Sequence, residues 1–105
     1  MKIIKKLTEQ MYEELEGAEE YIKCAMKNKT EHKELSELYY KMSNAELEHA
    51  IELHKHAEII IKQVNLEKQN NEFINLMKEI WDEKHECLIK EMAEIKNMIE
   101  LYKTS

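Results

Sequence analysis

The hydrophobic positions of this 105-residue chain recur at helical spacing. In the first third, apolar residues fall on one face of a helix, in the series Leu7, Met11, Ala18 and Ala25. Two later series have the same spacing: Leu35, Met42, Leu53 and Ile60, then Phe73, Met77, Ile80, Trp81, Leu88, Ile95, Met98 and Tyr102. The pattern therefore predicts three long amphipathic helices.

Two short polar stretches separate these series. The first is Asn28–Thr30, and the second includes Asn65 and the pair Asn70–Asn71. They predict helix 1 over about residues 8–27, helix 2 over about 30–63 and helix 3 over about 67–103, with Thr8 and Thr30 as N-caps of the first two. Because the breaks are short, neighbouring helices are expected to run antiparallel.

The composition supports an all-α fold in a single domain, residues 1–105. The chain has no proline, and Gly17 is its one glycine, so the residues that strands and tight turns require are nearly absent. Its length allows one domain with a modest core. The net charge is −6, and no basic stripe with interleaved aromatic residues occurs, which argues against nucleic acid as a partner.

The sequence favours a cytoplasmic protein without a membrane partner. Lysines interrupt the first apolar residues, which therefore lack the continuous core of a secretion signal, and no later stretch is long enough to span a bilayer. Cys24 and Cys87 are isolated and show no CxxC spacing.

Four polar residues interrupt the apolar faces of helices 1 and 2. Glu14 and Tyr21 take places in the first series, and Glu46 and His49 take places in the second. A buried carboxylate without a partner is costly, so it must find one or lose its charge. Three potential ligands aimed inward from two neighbouring helices indicate that the partner is a metal ion.

The spacing of these residues is compatible with one shared site. Glu46 and His49 form an E-x-x-H pair, and residues three apart on a helix point the same way. Antiparallel packing brings Glu14 opposite this pair, because Glu14 precedes the first break by about as many residues as Glu46 follows it. Carboxylate and imidazole ligands together suit iron, manganese or zinc. We therefore predict Glu14, Glu46 and His49 as metal ligands.

The segments EELEGAEEY (Glu13–Tyr21) and AELEHA (Ala45–Ala50) resemble the ferritin-like di-iron proteins, most closely the rubrerythrin and encapsulated-ferritin branches. The resemblance covers somewhat over half of the chain. It implies that Glu14 is a terminal or bridging ligand, Glu46 a bridging ligand and His49 a terminal nitrogen ligand. It also implies that Tyr21 hydrogen-bonds a ligand carboxylate and orients it.

A complete ferritin-like site takes one Glu from each of two helices and one E-x-x-H motif from each of two others. This chain supplies half of that set. The resemblance therefore implies a di-iron site shared across a homodimer or higher homo-oligomer, whose four-helix core is completed by the second copy. Two copies bring four carboxylates, which balance the charge of two divalent cations. Helix 3 would flank this core or swap to the partner, and the sequence leaves that choice open.

The implied function is that of a dinuclear non-haem iron protein, an oxidoreductase with ferroxidase activity or peroxide- or dioxygen-reducing activity. The sequence does not identify a redox partner, and manganese or zinc could take the place of iron. Two other interpretations stay open. One is a helical interaction or regulatory module without a metal, and the other is a ferritin-like scaffold holding a structural zinc.

The remaining histidines are not predicted as metal ligands. His54 is expected to be exposed, and Asp82 with His85 lies on a polar face that should meet solvent. His56 follows His49 by seven residues, so it is expected as a core or rim residue, with a role as an additional ligand or as a residue at the entry to the site as the alternative.

Overall fold

The protein consists of three long α-helices. A computed structural model describes residues 2–66 and 72–105. Helix α1 covers Lys2–Lys27, α2 covers Lys33–Leu66 and α3 covers Glu72–Thr104. These residues contain no strand, which confirms the all-α class. The helices form an elongated bundle 57 Å long and 17 by 16 Å across.

Two helix starts differ from the predicted ones. α1 begins at Lys2, so Thr8 lies inside the helix, where its hydroxyl donates to the carbonyl of Ile4 at 2.8 Å. α2 begins at Lys33 instead of Thr30, and the carbonyl of His32 accepts the amide hydrogen of Ser36 at 2.8 Å. Asn65, which was expected to mark the second break, lies inside α2, because that helix continues to Leu66. The Asn70–Asn71 pair and the start of helix 3 near residue 67 lie outside the described residues.

Two serine hydroxyls fix the register between α1 and α2. Ser36 Oγ donates to the carbonyl of Ala25 at 2.6 Å, and Ser43 Oγ donates to the carbonyl of Ala18 at 2.7 Å. A step of seven residues forward on α2 therefore matches a step of seven backward on α1, so the two helices run antiparallel. Both serines are fully buried.

The buried face of α2 lies one residue away from the predicted face. Its fully buried line consists of small residues at heptad spacing: Ser36, Ser43, Ala50 and Ala57. Leu35, from the predicted series, is 41% exposed. Small side chains allow close approach of two helices, so larger apolar residues pack beside the line and not on it. A hydrophobicity pattern counts serine as polar and misses this face.

The predicted face of α1 is confirmed. All four apolar residues of the series predicted for this helix are buried: Leu7, Met11, Ala18 and Ala25. On this helix the buried positions carry apolar side chains, apart from Thr8, so the hydrophobic pattern and the packing agree.

Helix α3 packs against α1 and α2 of its own chain. Five of its buried residues recur every seven positions, namely Ile74, Trp81, Leu88, Ile95 and Tyr102, and Ile99 is buried beside them. Four of these belong to the predicted series, and the side chain of Phe73 lies outside the described part of the chain. Among the described helices, none has an apolar stretch of the length that crossing a membrane requires.

The hydroxyl of Ser36 joins all three helices. The Tyr102 hydroxyl of α3 lies 2.8 Å from Ser36 Oγ. Because Ser36 gives its own hydrogen to the carbonyl of Ala25, Tyr102 is the donor in this contact. One buried oxygen on α2 therefore links α1 and α3.

Replacing the two serines by alanine should have unequal effects. Ser43→Ala removes one hydrogen bond and should destabilise the protein by about 1 kcal/mol or less. Ser36→Ala also leaves the buried hydroxyl of Tyr102 without an acceptor, so the loss should be about 1–3 kcal/mol. Urea unfolding followed by circular dichroism measures both changes.

The double variant Ser36→Ala/Tyr102→Phe is the control for this explanation. It removes the orphaned donor together with its acceptor, so it should recover part of the stability lost in Ser36→Ala. Equal losses in Ser36→Ala and Ser43→Ala would contradict the central role of Ser36.

Candidate metal centre

Glu14, Glu46 and His49 lie together between α1 and α2. The Nδ1 atom of His49 is 3.3 Å from Oε2 of Glu14. The carboxyl groups of Glu14 and Glu46 are in hydrogen-bond contact. Glu14 on α1 therefore touches both members of the E-x-x-H pair on α2, and the register set by Ser43 and Ala18 produces this meeting.

The carboxylate of Glu46 lies directly against Gly17, a residue that the sequence interpretation missed. A Cβ atom at position 17 would lie 3.1 Å from Oε2 of Glu46. Glycine inside a helix is less favourable than alanine by about 1 kcal/mol. The missing side chain leaves room for the carboxylate against the α1 backbone. The sequence feature that could have indicated this contact is the single glycine in the middle of helix 1, three residues after Glu14.

The contact between the two carboxyl groups changes their protonation. The pKa of Glu46 rises to about 7, chiefly through its hydrogen bond with Glu14, then through burial and the charge of Glu14, while His49 acts in the opposite direction. Two carboxylates this close require a shared proton or a cation between them. The chemistry of this donor set therefore fits a divalent metal, which would take the place of that proton.

The three residues are less buried than the hydrophobic pattern predicted. The His49 side chain is 63% exposed and that of Glu14 is 28% exposed, while Glu46 is half-buried. The reason is that the buried face of α2 lies one residue away from the predicted face. Its central line carries small residues, so Glu46 and His49 lie on the flank of the contact with α1. Their ligand atoms face a side of the helix pair that is open in the single chain.

A cleft of about 400 Å³ adjoins these ligands. Its lining includes Glu13, Glu14 and Glu52 together with His49 and His56. The acidic side chains make the cleft attractive to cations. His56 is exposed on this lining, which places it at the rim, one of the two locations expected for it.

Tyr21 lies two turns after Glu14 on the same helix. Its ring stacks on Tyr39 of α2, with the centroids 6.1 Å apart and the planes 26° apart. Within residues 2–66 and 72–105, the structure gives its hydroxyl no hydrogen bond to Glu14 or Glu46. The orienting role that the family resemblance implies for Tyr21 therefore stays a prediction.

A second group of ligand-type residues lies between α2 and α3, where the sequence interpretation expected exposed histidines. That expectation is wrong for His54, whose side chain is 13% exposed, and for His85, which is half-buried. Among the described residues, the group of three whose ligand atoms all lie within 4.8 Å of one another is His54, Glu58 and His85. The spacing of four between His54 and Glu58 was visible in the sequence, but the position of His85 depends on how α3 packs.

Comparison of the chain with family models, curated proteins and solved structures gave no match. The contacts of Glu14, Glu46 and His49 and the motifs that carry them are therefore the evidence for a function.

Glu46→Gln should change how the stability of the metal-free protein depends on pH. The pKa of Glu46 is about 7 in the folded protein, above its ordinary value of 4.5. Its stabilising contribution is therefore fully present below pH 4.5 and is lost as the pH rises through about 7. Thermal unfolding in EDTA between about pH 5 and 8 should show the wild-type melting temperature falling relative to that of the variant.

The matched control for the pH series is Glu48→Gln, at an exposed position on the same helix. It should follow the wild-type pH dependence. A constant difference between wild type and Glu46→Gln across the whole range would contradict the proton shared by Glu46 and Glu14.

Gly17→Ala should change the stability of the metal-free protein and its affinity for metal in opposite directions. Alanine improves helix propensity by about 1 kcal/mol, and the new Cβ meets only the flexible end of Glu46, which can move aside. We expect the melting temperature of the metal-free protein to rise and its affinity for Fe(II) to fall, because the carboxylate is displaced from Glu14. Calorimetry in EDTA and anaerobic Fe(II) titration test the two effects, and unchanged Fe(II) affinity would contradict the role given to Gly17.

Proposed function

We propose that this protein is a dinuclear non-haem iron protein that oxidises Fe(II) with dioxygen or peroxide, at a site shared by two copies of the chain. The observation that supports this most directly is the contact of the Glu14 and Glu46 carboxyl groups with His49 beside them. Two carboxylates and one imidazole, drawn from two antiparallel helices, form half of a ferritin-like ligand set.

A second copy completes the set. In the single chain His49 is largely exposed and the adjoining cleft is open, so the ligands are accessible to another subunit. Around a twofold axis, each copy contributes Glu14, Glu46 and His49. The four carboxylates balance two divalent cations, and the protons held at Glu46 are released when the metals bind. The α1–α2 pairs of the two copies form the four-helix core, with each α3 outside it.

The residues of the chain hold and tune the metals. Bound iron supplies the redox chemistry, in which electrons from Fe(II) reduce dioxygen or peroxide. Glu14 and Glu46 are anionic oxygen ligands, which favour the higher charge of Fe(III). His49 adds a neutral nitrogen ligand. Glu13 and Glu52 on the cleft concentrate cations at the entrance to the site.

Glu46→Ala should abolish iron binding at this site. Anaerobic titration of the wild-type protein with Fe(II) should saturate at about one iron per chain, with two irons in each dimer. Sedimentation should show the dimer gaining population as iron binds, because a cation held between two copies stabilises their association. Glu48→Ala, at an exposed position on the same helix, is the matched control and should bind iron as wild type does.

Admission of air completes this test. Wild type and Glu48→Ala should oxidise Fe(II) faster than buffer alone, and Glu46→Ala should match the buffer. Binding without oxidation would favour a scaffold with a structural metal. Saturation unchanged in Glu46→Ala, or saturation in a monomer, would contradict the shared iron site.

A further inference from the structure

Three ligand-type side chains converge at the contact between α2 and α3. Nε2 of His54 lies 2.6 Å from Nδ1 of His85 and 3.7 Å from Oε1 of Glu58. His54 and Glu58 are one turn apart on α2, and His85 reaches them from α3. One nitrogen of His54 therefore faces both of the other donor atoms.

We propose that His54, Glu58 and His85 form a second metal site, which binds Zn(II) and ties α3 to α2. The site is separate from Glu14, Glu46 and His49, and it does not depend on the proposed iron function. Two imidazoles and one carboxylate form a known zinc ligand set, in which water takes the fourth position.

The distances between the donor atoms suit such an ion. Zinc lies about 2.0–2.2 Å from nitrogen and oxygen ligands, so two ligand atoms on a tetrahedral ion are roughly 3.3 Å apart. The distances from His54 Nε2 are 2.6 Å to Nδ1 of His85 and 3.7 Å to Oε1 of Glu58, one below this value and one above it. In the metal-free protein one imidazole N–H donates to the other ring. A small rotation of the side chains would let a cation replace that hydrogen.

The surroundings of the site favour a cation with one coordination position open to solvent. Trp81 forms an apolar wall, with its ring centroid 5.7 Å from that of His54 and 5.5 Å from that of His85. Glu58 is 43% exposed, which gives solvent and a metal ion access from one side. Burial lowers the pKa of His54, which keeps the imidazole neutral, the form that binds metals.

The test uses Glu46→Ala as the starting protein, because that change disables the first site. Trp81 is the only tryptophan in the chain and contacts both imidazoles, so its fluorescence reports on this site alone. Titration with Zn(II) should change the emission until about one ion per chain is bound. The melting temperature should rise with Zn(II), because the ion binds only the folded protein.

Two further substitutions, each added to Glu46→Ala, remove one ligand at a time. His85→Phe keeps a ring beside Trp81, and Glu58→Gln keeps the size of a partly exposed side chain. Both should eliminate the fluorescence response and the rise in melting temperature. His32→Phe and Glu83→Gln change exposed residues of the same types and should leave both responses intact.

Absence of a Zn(II) response in Glu46→Ala, or a response that survives both His85→Phe and Glu58→Gln, would overturn the second site. The imidazoles would then serve only to pack against Trp81. Failure of the iron proposal gives a different result, namely Fe(II) saturation that Glu46→Ala does not alter.

Discussion

The two hydrogen bonds from Ser36 and Ser43 to the backbone of α1 determine how the rest of the molecule is arranged. Small residues form a smooth line along α2, and such a line alone would allow two helices to slide past each other. Sliding by one turn would separate Glu14 from Glu46 by about 5 Å, because a helix rises 5.4 Å per turn. The carboxylate contact, the raised pKa of Glu46 and the approach to Gly17 all follow from this register.

The candidate iron site stands out because it opposes stability locally. Gly17 is a poor residue for the middle of a helix, and the contact of Glu46 with Glu14 keeps a proton on a carboxyl group near neutral pH. Departures from local rules are expected where a protein has a function to perform. A divalent cation would replace that proton, and the space left by the missing Cβ of Gly17 lets the Glu46 carboxylate lie close to Glu14.

Much of this arrangement was predictable from spacing. Helical periodicity predicted three helices and the buried face of α1, and the short break after Lys27 placed Glu14 opposite Glu46 and His49. The buried face of α2 was missed because two of its central residues are serines, which become suitable core residues only through carbonyls on another helix. The cluster of His54 and His85 was missed because it requires the docking of α3, which no local pattern encodes.

Among the described residues, hydrogen bonds join α3 to α2 through Tyr102 with Ser36 and through His85 with His54. These points are 18 residues apart on α2 and 17 apart on α3, counted from their numbers in the chain. The residue numbers rise on α2 while they fall on α3, so the two helices run antiparallel. Both intervals correspond to about 26 Å of helix, so the register between the helices does not change from one point to the other. A metal at His54 and His85 would strengthen one of these points. An α3 fixed on its own chain leaves the open side of Glu14 and His49 uncovered, and in the proposed iron site a second copy would occupy that side.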